Sequence, residues 1–387
     1  MIGWTKKKLG EVCTLQRGFD LPKKDRALGS FPLMSSSGCI DYHAEAKVKG
    51  PGVITGRSGS IGHVFYIEED FWPLNTALYV KDFHRNDPKF VFYLLKCFDL
   101  KRFSSGTGVP TLNRNHVHDE IVFVPNSVEE QKRIVEILDQ AYADIERVRG
   151  TAEKNLANAK ELFDSCLQQT FSKNHGNWNT TKLKSITSKI GSGATPKGGK
   201  SAYKSEGMSL IRSMNVYDRQ FKEKDLALID DEQASKLSNV ELFEGDVLLN
   251  ITGASVARCC VVPDHYLPAR VNQHVSIIRV IENTIKPELL CYLLTSKYYK
   301  ESLLGIGEAG STRQAITKTQ IENFEISFPN GEENQIRFIK KLSTLEDDVL
   351  KLQRVYSKKL EALDELKKSI LQKAFNGNLT KSKGAAV

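Results

Sequence analysis

The chain has 387 residues, 40% of them hydrophobic, and a formal net charge of +8, the balance of a globular protein with surplus positive charge. No run approaches the about 18 apolar residues of a membrane span and no signal-peptide pattern opens the chain, so a soluble, cytoplasmic protein is expected. Seven cysteines, none in a C-x-x-C pair, argue against a disulfide framework and a structural zinc site.

The first segment, residues 1–126, opens on Trp4, Leu9 and Val12. Residues 53–54, 63–67 and 77–80 read as short strands, and residues 90–98 as a short helix behind Pro88. Gly, Ser and Pro punctuate the stretches between. This is an α/β or α+β segment large enough for its own core.

Residues 127–175 read as one long helix. Ile134, Leu138, Ala141, Ile145, Val148, Ala152, Ala159, Leu162 and Cys166 alternate steps of four and three, with Asn155 as the polar member. That alternation over four heptads predicts a coiled-coil seam. Ser127 with Glu130 has the spacing of a capping box, and Asn174-His175-Gly176 is a stop. Gly150 should cost about 1 kcal/mol relative to Ala, so packing is expected to hold that stretch.

The next segment, residues 176–330, repeats the first with insertions. Trp178, Leu183 and Ile186 resemble Trp4, Leu9 and Val12. Thr252-Gly253-Ala254-Ser255 resembles Thr55-Gly56-Arg57-Ser58, and Asn272 falls on Asn75 at the same offset of 197. Pro287 followed by Tyr292-Leu293-Leu294 resembles Pro88 followed by Tyr93-Leu94-Leu95. The offset grows from 174 to 204 and never falls, which describes one fold written twice. Residues 246–249, 260–262 and 274–278 read as strands and residues 288–299 as a short helix.

Residues 331–377 duplicate the first long helix without a gap, and residues 378–387 form a tail. At an offset of 204, Glu129-Glu130-Gln131 lands on Glu333-Asn334-Gln335, Pro125 on Pro329 and Leu167 on Leu371. The seam positions become Phe338, Leu342, Leu345, Val349, Leu352, Tyr356, Leu363, Leu366 and Ile370, with Lys359 as the polar member. Asn330 with Glu333 predicts an Asn cap, and Asn376-Gly377 a stop. One chain carrying both matching seams favours an intramolecular antiparallel pair over a dimerisation coiled coil. The polar seam residues are expected to fix its register.

Residues 193–201 imitate a phosphate-binding loop, but Ala194 stands where the pattern needs Gly and Pro196 breaks the turn. Residues 56–62 are Gly-rich yet no helix follows them, so a dinucleotide fingerprint is not supported. No amino-methyltransferase, helicase or nuclease motif is found. His116 and His118 suggest no third metal ligand. No catalytic, metal-binding or cofactor-binding residue is therefore assigned.

What remains is polar and basic loops. In the first segment these hold Arg57, Ser58, Ser60, Asn75, Lys101, Arg102, Thr107, Arg114 and Asn115. In the second they hold Lys197, Lys200, Arg212, Asn250, Thr252, Arg258, Asn272, Gln273, Arg313 and Gln314. Lys and Arg neutralise phosphates, and Arg, Asn and Gln also read base edges, so the set predicts contact with double-stranded DNA.

The alternation of divergent segment and repeated long helix resembles the specificity subunit of Type I restriction-modification systems. The Trp-x-x-x-x-Leu openings at Trp4 and Trp178 carry the resemblance, with the Pro-x-x-x-Glu-Glu-Gln lead-in at Pro125 and the Leu-Gln-x-x-Phe exit at Leu167. The second lead-in departs from the first in having Asn334. The resemblance implies two target recognition domains, each reading half of a split DNA sequence, and helices that act as a ruler. It also implies a non-catalytic chain that recruits two methyltransferase subunits and, through the complex, restriction subunits. The competing readings are a DNA-bridging protein without sequence choice and an enzyme with unrecognised nuclease activity.

Overall fold

The computed structural model describes residues 3–105, 110–172, 178–308 and 314–379. The chain divides into two compact units: one holds residues up to Glu153 and from Ser357 on, the other Lys154–Tyr356. The fold is mixed α/β, and the division falls inside both long helices, which run Val128–Ser172 and Glu332–Phe375. Each unit therefore contains one divergent segment and half of each helix.

In the first unit, strand Trp4–Lys8 pairs antiparallel with Ile121–Pro125, and Trp4 lies opposite Pro125. A four-stranded sheet follows, in the order Thr14–Arg17, Ala77–Asp82, Gly52–Gly56, Val64–Ile67. A three-stranded sheet has Phe31–Ser35 at its centre, antiparallel to Gly38–His43 and parallel to Trp72–Pro73. Helix Pro88–Cys97 has its N-cap at Asp87, whose carboxylate accepts the Phe90 N–H at 2.8 Å.

The second unit repeats this plan. Trp178–Lys182 pairs with Glu325–Pro329, with Trp178 opposite Pro329. The four-stranded sheet runs Thr187–Ser192, Val275–Val280, Val247–Asn250, Cys259–Val261. The smaller sheet again has a central strand, Met208–Ile211, antiparallel to Ala227–Ile229 and parallel to Ala269–Val271. Its additions are a short hairpin, Val216–Tyr217 with Gln220–Phe221, and helix Lys297–Glu308.

The ladders correct one alignment made on letters. Arg57 N–H donates to the Thr76 carbonyl, as Ile251 N–H does to His274. Leu112 N–H donates to Arg57, as Ile316 does to Ile251. The true counterpart of Arg57 is thus Ile251, that of Ser58 is Thr252, and that of Asn75 is Gln273. The similar tetrapeptides at Thr55 and Thr252 are offset by three residues from the hydrogen-bonding equivalence, which decides which side chain occupies which place.

The paired helices run antiparallel within each unit. In the first, Ile134 and Leu138 share a buried cluster with Leu371, Ala374 and Phe375. In the second, Phe163 and Leu167 share one with Leu342 and Val349. Full burial of such a side chain stabilises by roughly 1.5–3 kcal/mol. The seam departs from the predicted positions. In the first helix Ile145, Ala152 and Ala159 are buried, but the stripe then steps to Phe163 and Leu167, leaving Leu162 44% exposed. In the second, Leu352 and Leu366 are exposed at 41% and 46% while Val349 and Leu363 are buried. A straight helix drifts about 20° per heptad against a seven-residue repeat, which moves the contact line off the predicted column.

Lys359 is exposed and does not serve the seam. Register in the first unit rests on other polar contacts, the ion pairs Arg149–Asp364 and Lys367–Glu146. The capping expectations divide. Ser127 Oγ accepts the Glu130 N–H at 3.2 Å. Asn330 is not the cap, because Gly331, at φ +80°, supplies the carbonyl that takes the Gln335 N–H. Gly150 is exposed, with open space where a Cβ would stand, so no packing contact requires it.

Each short helix is tied to a long one by matching hydroxyls. Tyr93 Oη donates to Asp139 at 2.6 Å, and Tyr292 Oη to Glu346 at 2.9 Å. Each carboxylate also holds a cation, Lys89 at 2.7 Å and Arg219 at 2.8 Å. Burial first, and the adjoining carboxylate next, push the Tyr93 hydroxyl well above the usual tyrosine range.

Candidate nucleic-acid interface

In each unit the polar cluster forms where the first strand of the four-stranded sheet leaves it. Gly18 and Gly193 stand there at an offset of 175. A Cβ on Gly18 would lie 2.5 Å from the Pro73 carbonyl oxygen, and one on Gly193 would lie 1.8 Å from that of Val271. Only glycine permits that approach, which in the first unit sets Arg17 beside Arg57 and in the second sets Thr195 beside Gln273.

In the first unit Arg57 Nη1 donates to the Asn75 carbonyl at 3.3 Å, and Asn75 Nδ2 donates to Asp20. Arg17 Nη2 approaches both Asp20 oxygens at 3.3 Å. Arg17, Arg57 and Arg114 line one cleft of about 420 Å³ with Ser105, Thr111 and Asn113. Ser58 pairs with Thr111 in an isolated antiparallel backbone bridge. Ser60 completes the loop, its carbonyl oxygen standing where a Cβ on Gly56 would come within 2.0 Å. Asn115 is exposed, and its N–H is held by the Asn113 side chain at 3.0 Å. Lys101 is exposed and lies over Gly62.

Arg102 does not join this cluster. It pairs with Glu120 and covers the Phe103 ring at 4.6 Å. His118 serves the fold: its Nε2 accepts the Leu15 N–H at 2.8 Å. Burial, and secondarily Arg114, lower its pKa.

In the second unit the same places hold different chemistry. Gln273 and Thr195 replace Asn75 and Asp20, and their side chains are hydrogen-bonded. His274 lies between Thr252, at 2.5 Å from Nδ1, and Gln273, at 3.2 Å from Nε2. Thr252, Ser255, Arg258 and His274 line a cleft of about 440 Å³ with Ser213 and Tyr217. The Arg258 guanidinium covers the Tyr217 ring at 4.5 Å. Gln314 Nε2 donates to Glu308 at 2.9 Å, and its carbonyl accepts the Gly253 N–H.

Three residues expected as contacts in the second unit are engaged within the fold. Asn250 is fully buried, and its Nδ2 donates to the Ser213 carbonyl at 2.9 Å, because it ends a central strand under that loop. Asn272 is also buried, with Oδ1 accepting the His274 N–H at 3.0 Å. Arg212 bonds the Asp225 carbonyl and covers the Tyr203 ring at 5.2 Å. Lys197 is exposed on a turn. Thr107, Arg313 and the Lys200 side chain lie outside the described residues.

Sequence reasoning missed Arg17, Asp20, His274 and Tyr217, and the Ser35-Ser36-Ser37 turn, whose middle N–H reaches Thr76 Oγ1 at 3.4 Å. The glycine repeated at positions 18 and 193 was the available signal.

A cavity of about 560 Å³ at the start of the second long helix touches none of the expected DNA-contacting residues. Among the described residues no three His, Cys, Asp or Glu side chains are grouped to hold a metal. Among the same residues no helix is long and apolar enough to cross a membrane.

Two α/β units of one topology, each with its own polar cleft and a part of each long helix, define a duplicated mixed α/β architecture. The Type I restriction modification DNA specificity domain model matches residues 1–153 and 175–362, and the chain belongs to that family. It is 23% identical over 313 residues to the Type I restriction enzyme MjaVIII specificity subunit of Methanocaldococcus jannaschii, covering 76% of this chain and 70% of that one. It is 25% identical over 145 residues, 35% of this chain and 42% of the other, to the putative type I specificity subunit S.MpnORF89P of Mycoplasma pneumoniae. Among solved structures, the HsdS subunit of Thermoanaerobacter tengcongensis has the same fold, with a TM-score of 0.64 at 20% identity and 98% of each chain covered. A chain of a type I R-M system, solved in work on complex assembly and conformational transition, superposes with a TM-score of 0.78 at 20% identity over 98% of this chain and 99% of that one.

Proposed function

We propose that this specificity subunit reads a bipartite, asymmetric sequence in double-stranded DNA, one half-site per unit, with the paired helices setting the spacer. Two methyltransferase subunits dock on the chain, and restriction subunits join through the complex. The chain itself performs no chemistry; its work is to select where its partners act.

The observation that carries this reading is the unlike chemistry at like positions. Arg17, Asp20 and Asn75 stand where the second unit has Ser192, Thr195 and Gln273. A protein that only bridged DNA would need equivalent charge at both heads, since phosphate contact carries no sequence information. Here one unit lines its cleft with three arginines beside a carboxylate, and the other with hydroxyls, an imidazole and the single guanidinium of Arg258.

Selection from random duplexes with the full-length chain tests the reading. Two half-sites at a constant separation are expected. Arg57→Ala should weaken or relax one half-site only, and Arg258→Ala only the other. Recovery of DNA without a shared sequence would favour the bridging alternative.

A further inference from the structure

The first unit contains an exposed polar chain. Asn75 donates to Asp20, and Asp20 holds Arg17 by one terminal nitrogen. The Arg17 and Asp20 side chains remain 49% and 66% exposed. An ion pair that wet contributes little to stability. Its geometry does something else: it restrains a long side chain that would otherwise sample many rotamers.

We propose that Arg17 reads a guanine in the first half-site, and that Asp20 and Asn75 are positioning residues that hold its guanidinium for the task. Arginine presents five N–H donors in a planar fork, and a carboxylate on one terminal nitrogen leaves other donors free. Paired donors match guanine O6 and N7, the commonest arginine contact in the major groove. Arg57 and Arg114 line the same cleft and supply charge for the flanking phosphates. Asp20 adds an opposing term. A carboxylate beside the duplex repels phosphate and so lowers affinity for every sequence, while the Arg17 it orients favours one. Discrimination increases at the expense of affinity. The second unit has Ser192, Thr195 and Gln273 at these places and lacks the device.

This inference rests on the proposed half-site reading, and the experiment separates the two. Random-duplex selection and competition binding would be run with full-length wild type, Arg17→Lys and Asp20→Asn, each checked for an unchanged melting temperature. Wild type should return a guanine at one position of the first half-site, favoured roughly ten- to a hundredfold. Arg17→Lys should lose that preference and keep its salt dependence, because the charge stays and the fork goes. Asp20→Asn should bind all duplexes more tightly yet discriminate less at the same position, with the second half-site unaltered. A merely structural pair would lower affinity and melting temperature together. Wild-type half-sites without a guanine sensitive to Arg17, or an Asp20→Asn variant that keeps full discrimination, would overturn the inference and leave half-site reading intact. No selected sequence from wild type would overturn both.

Discussion

Gln131 Oε1 accepts the backbone N–H of Asp87 at 2.9 Å, and the second unit repeats the contact with Gln335 and Lys286 at 2.8 Å. Both glutamines are buried, and each amide nitrogen donates as well, to Asn86 Oδ1 in one unit and to the Thr284 carbonyl in the other. The Gln of the repeated lead-in thus fastens the start of a long helix to the segment that opens the short one.

Truncation at this site strands a backbone donor next to a cavity. Gln131→Ala and Gln335→Ala are each expected to destabilise by about 1–3 kcal/mol, the cost of an unsatisfied buried polar group. Chemical denaturation would measure this. A loss under about 0.5 kcal/mol at both sites would mean water replaces the amide without penalty.

A buried ion pair distinguishes the second unit from the first. Asp246 is fully buried, and Arg279 grips it through two bonds of 2.7 Å. The ladders put Gly52 and Lys81 at the corresponding places. Arg279→Met would leave the carboxylate buried without its partner and should cost about 3–5 kcal/mol. Hydrogen exchange should localise the damage to the second unit, and uniform loss of protection in both would contradict it.

His118 makes stability of the first unit depend on pH. Its pKa is lowered in the fold, chiefly by burial, and its Nε2 must stay unprotonated to accept from Leu15. The unfolded chain binds the proton more readily, so the stabilisation is complete above the unfolded pKa of about 6.5 and is lost as pH falls through the lower folded value. Melting temperatures taken from pH 7.5 downward should fall for wild type and fall less for His118→Gln. Equal slopes would remove His118 as the cause.

Gly150 is a site for gain. It lies in helix, exposed, with no neighbour within 4 Å of a Cβ. Gly150→Ala should stabilise by up to about 1 kcal/mol through helix propensity. A drop in melting temperature on that substitution would show that the helix needs its glycine.

Much of this fold was legible because its signals are local or repeated. The repeats of Trp4 at Trp178 and of Pro125 at Pro329 were visible as letters, and both long helices as periodic runs, whereas the pairing of each Trp with its Pro came only from the ladders. The finer seam was not, because a choice between Leu162 and Phe163 depends on helix drift that accumulates over many turns. The site was less legible. Asp20 and Asn75 meet across 55 residues of sequence, and no spacing rule joins them. Asn250 reads as a contact because it is polar and sits where the second copy matches the first copy's loops, yet it is buried under the loop at Ser213. Similar tetrapeptides misaligned the copies by three residues, since surface loops diverge faster than the strands that carry them.

The central claim is that two unlike readers are spaced by one helix pair. Eleven residues inserted in each helix, after Glu153 and after Tyr356, add three whole turns and keep each seam facing its partner. At about 1.5 Å per residue that is roughly 16 Å, or about five base pairs at 3.4 Å each. Random-duplex selection with this variant should return both half-sites unaltered and a spacer longer by about five base pairs. Intact half-sites at the original spacing would contradict the account.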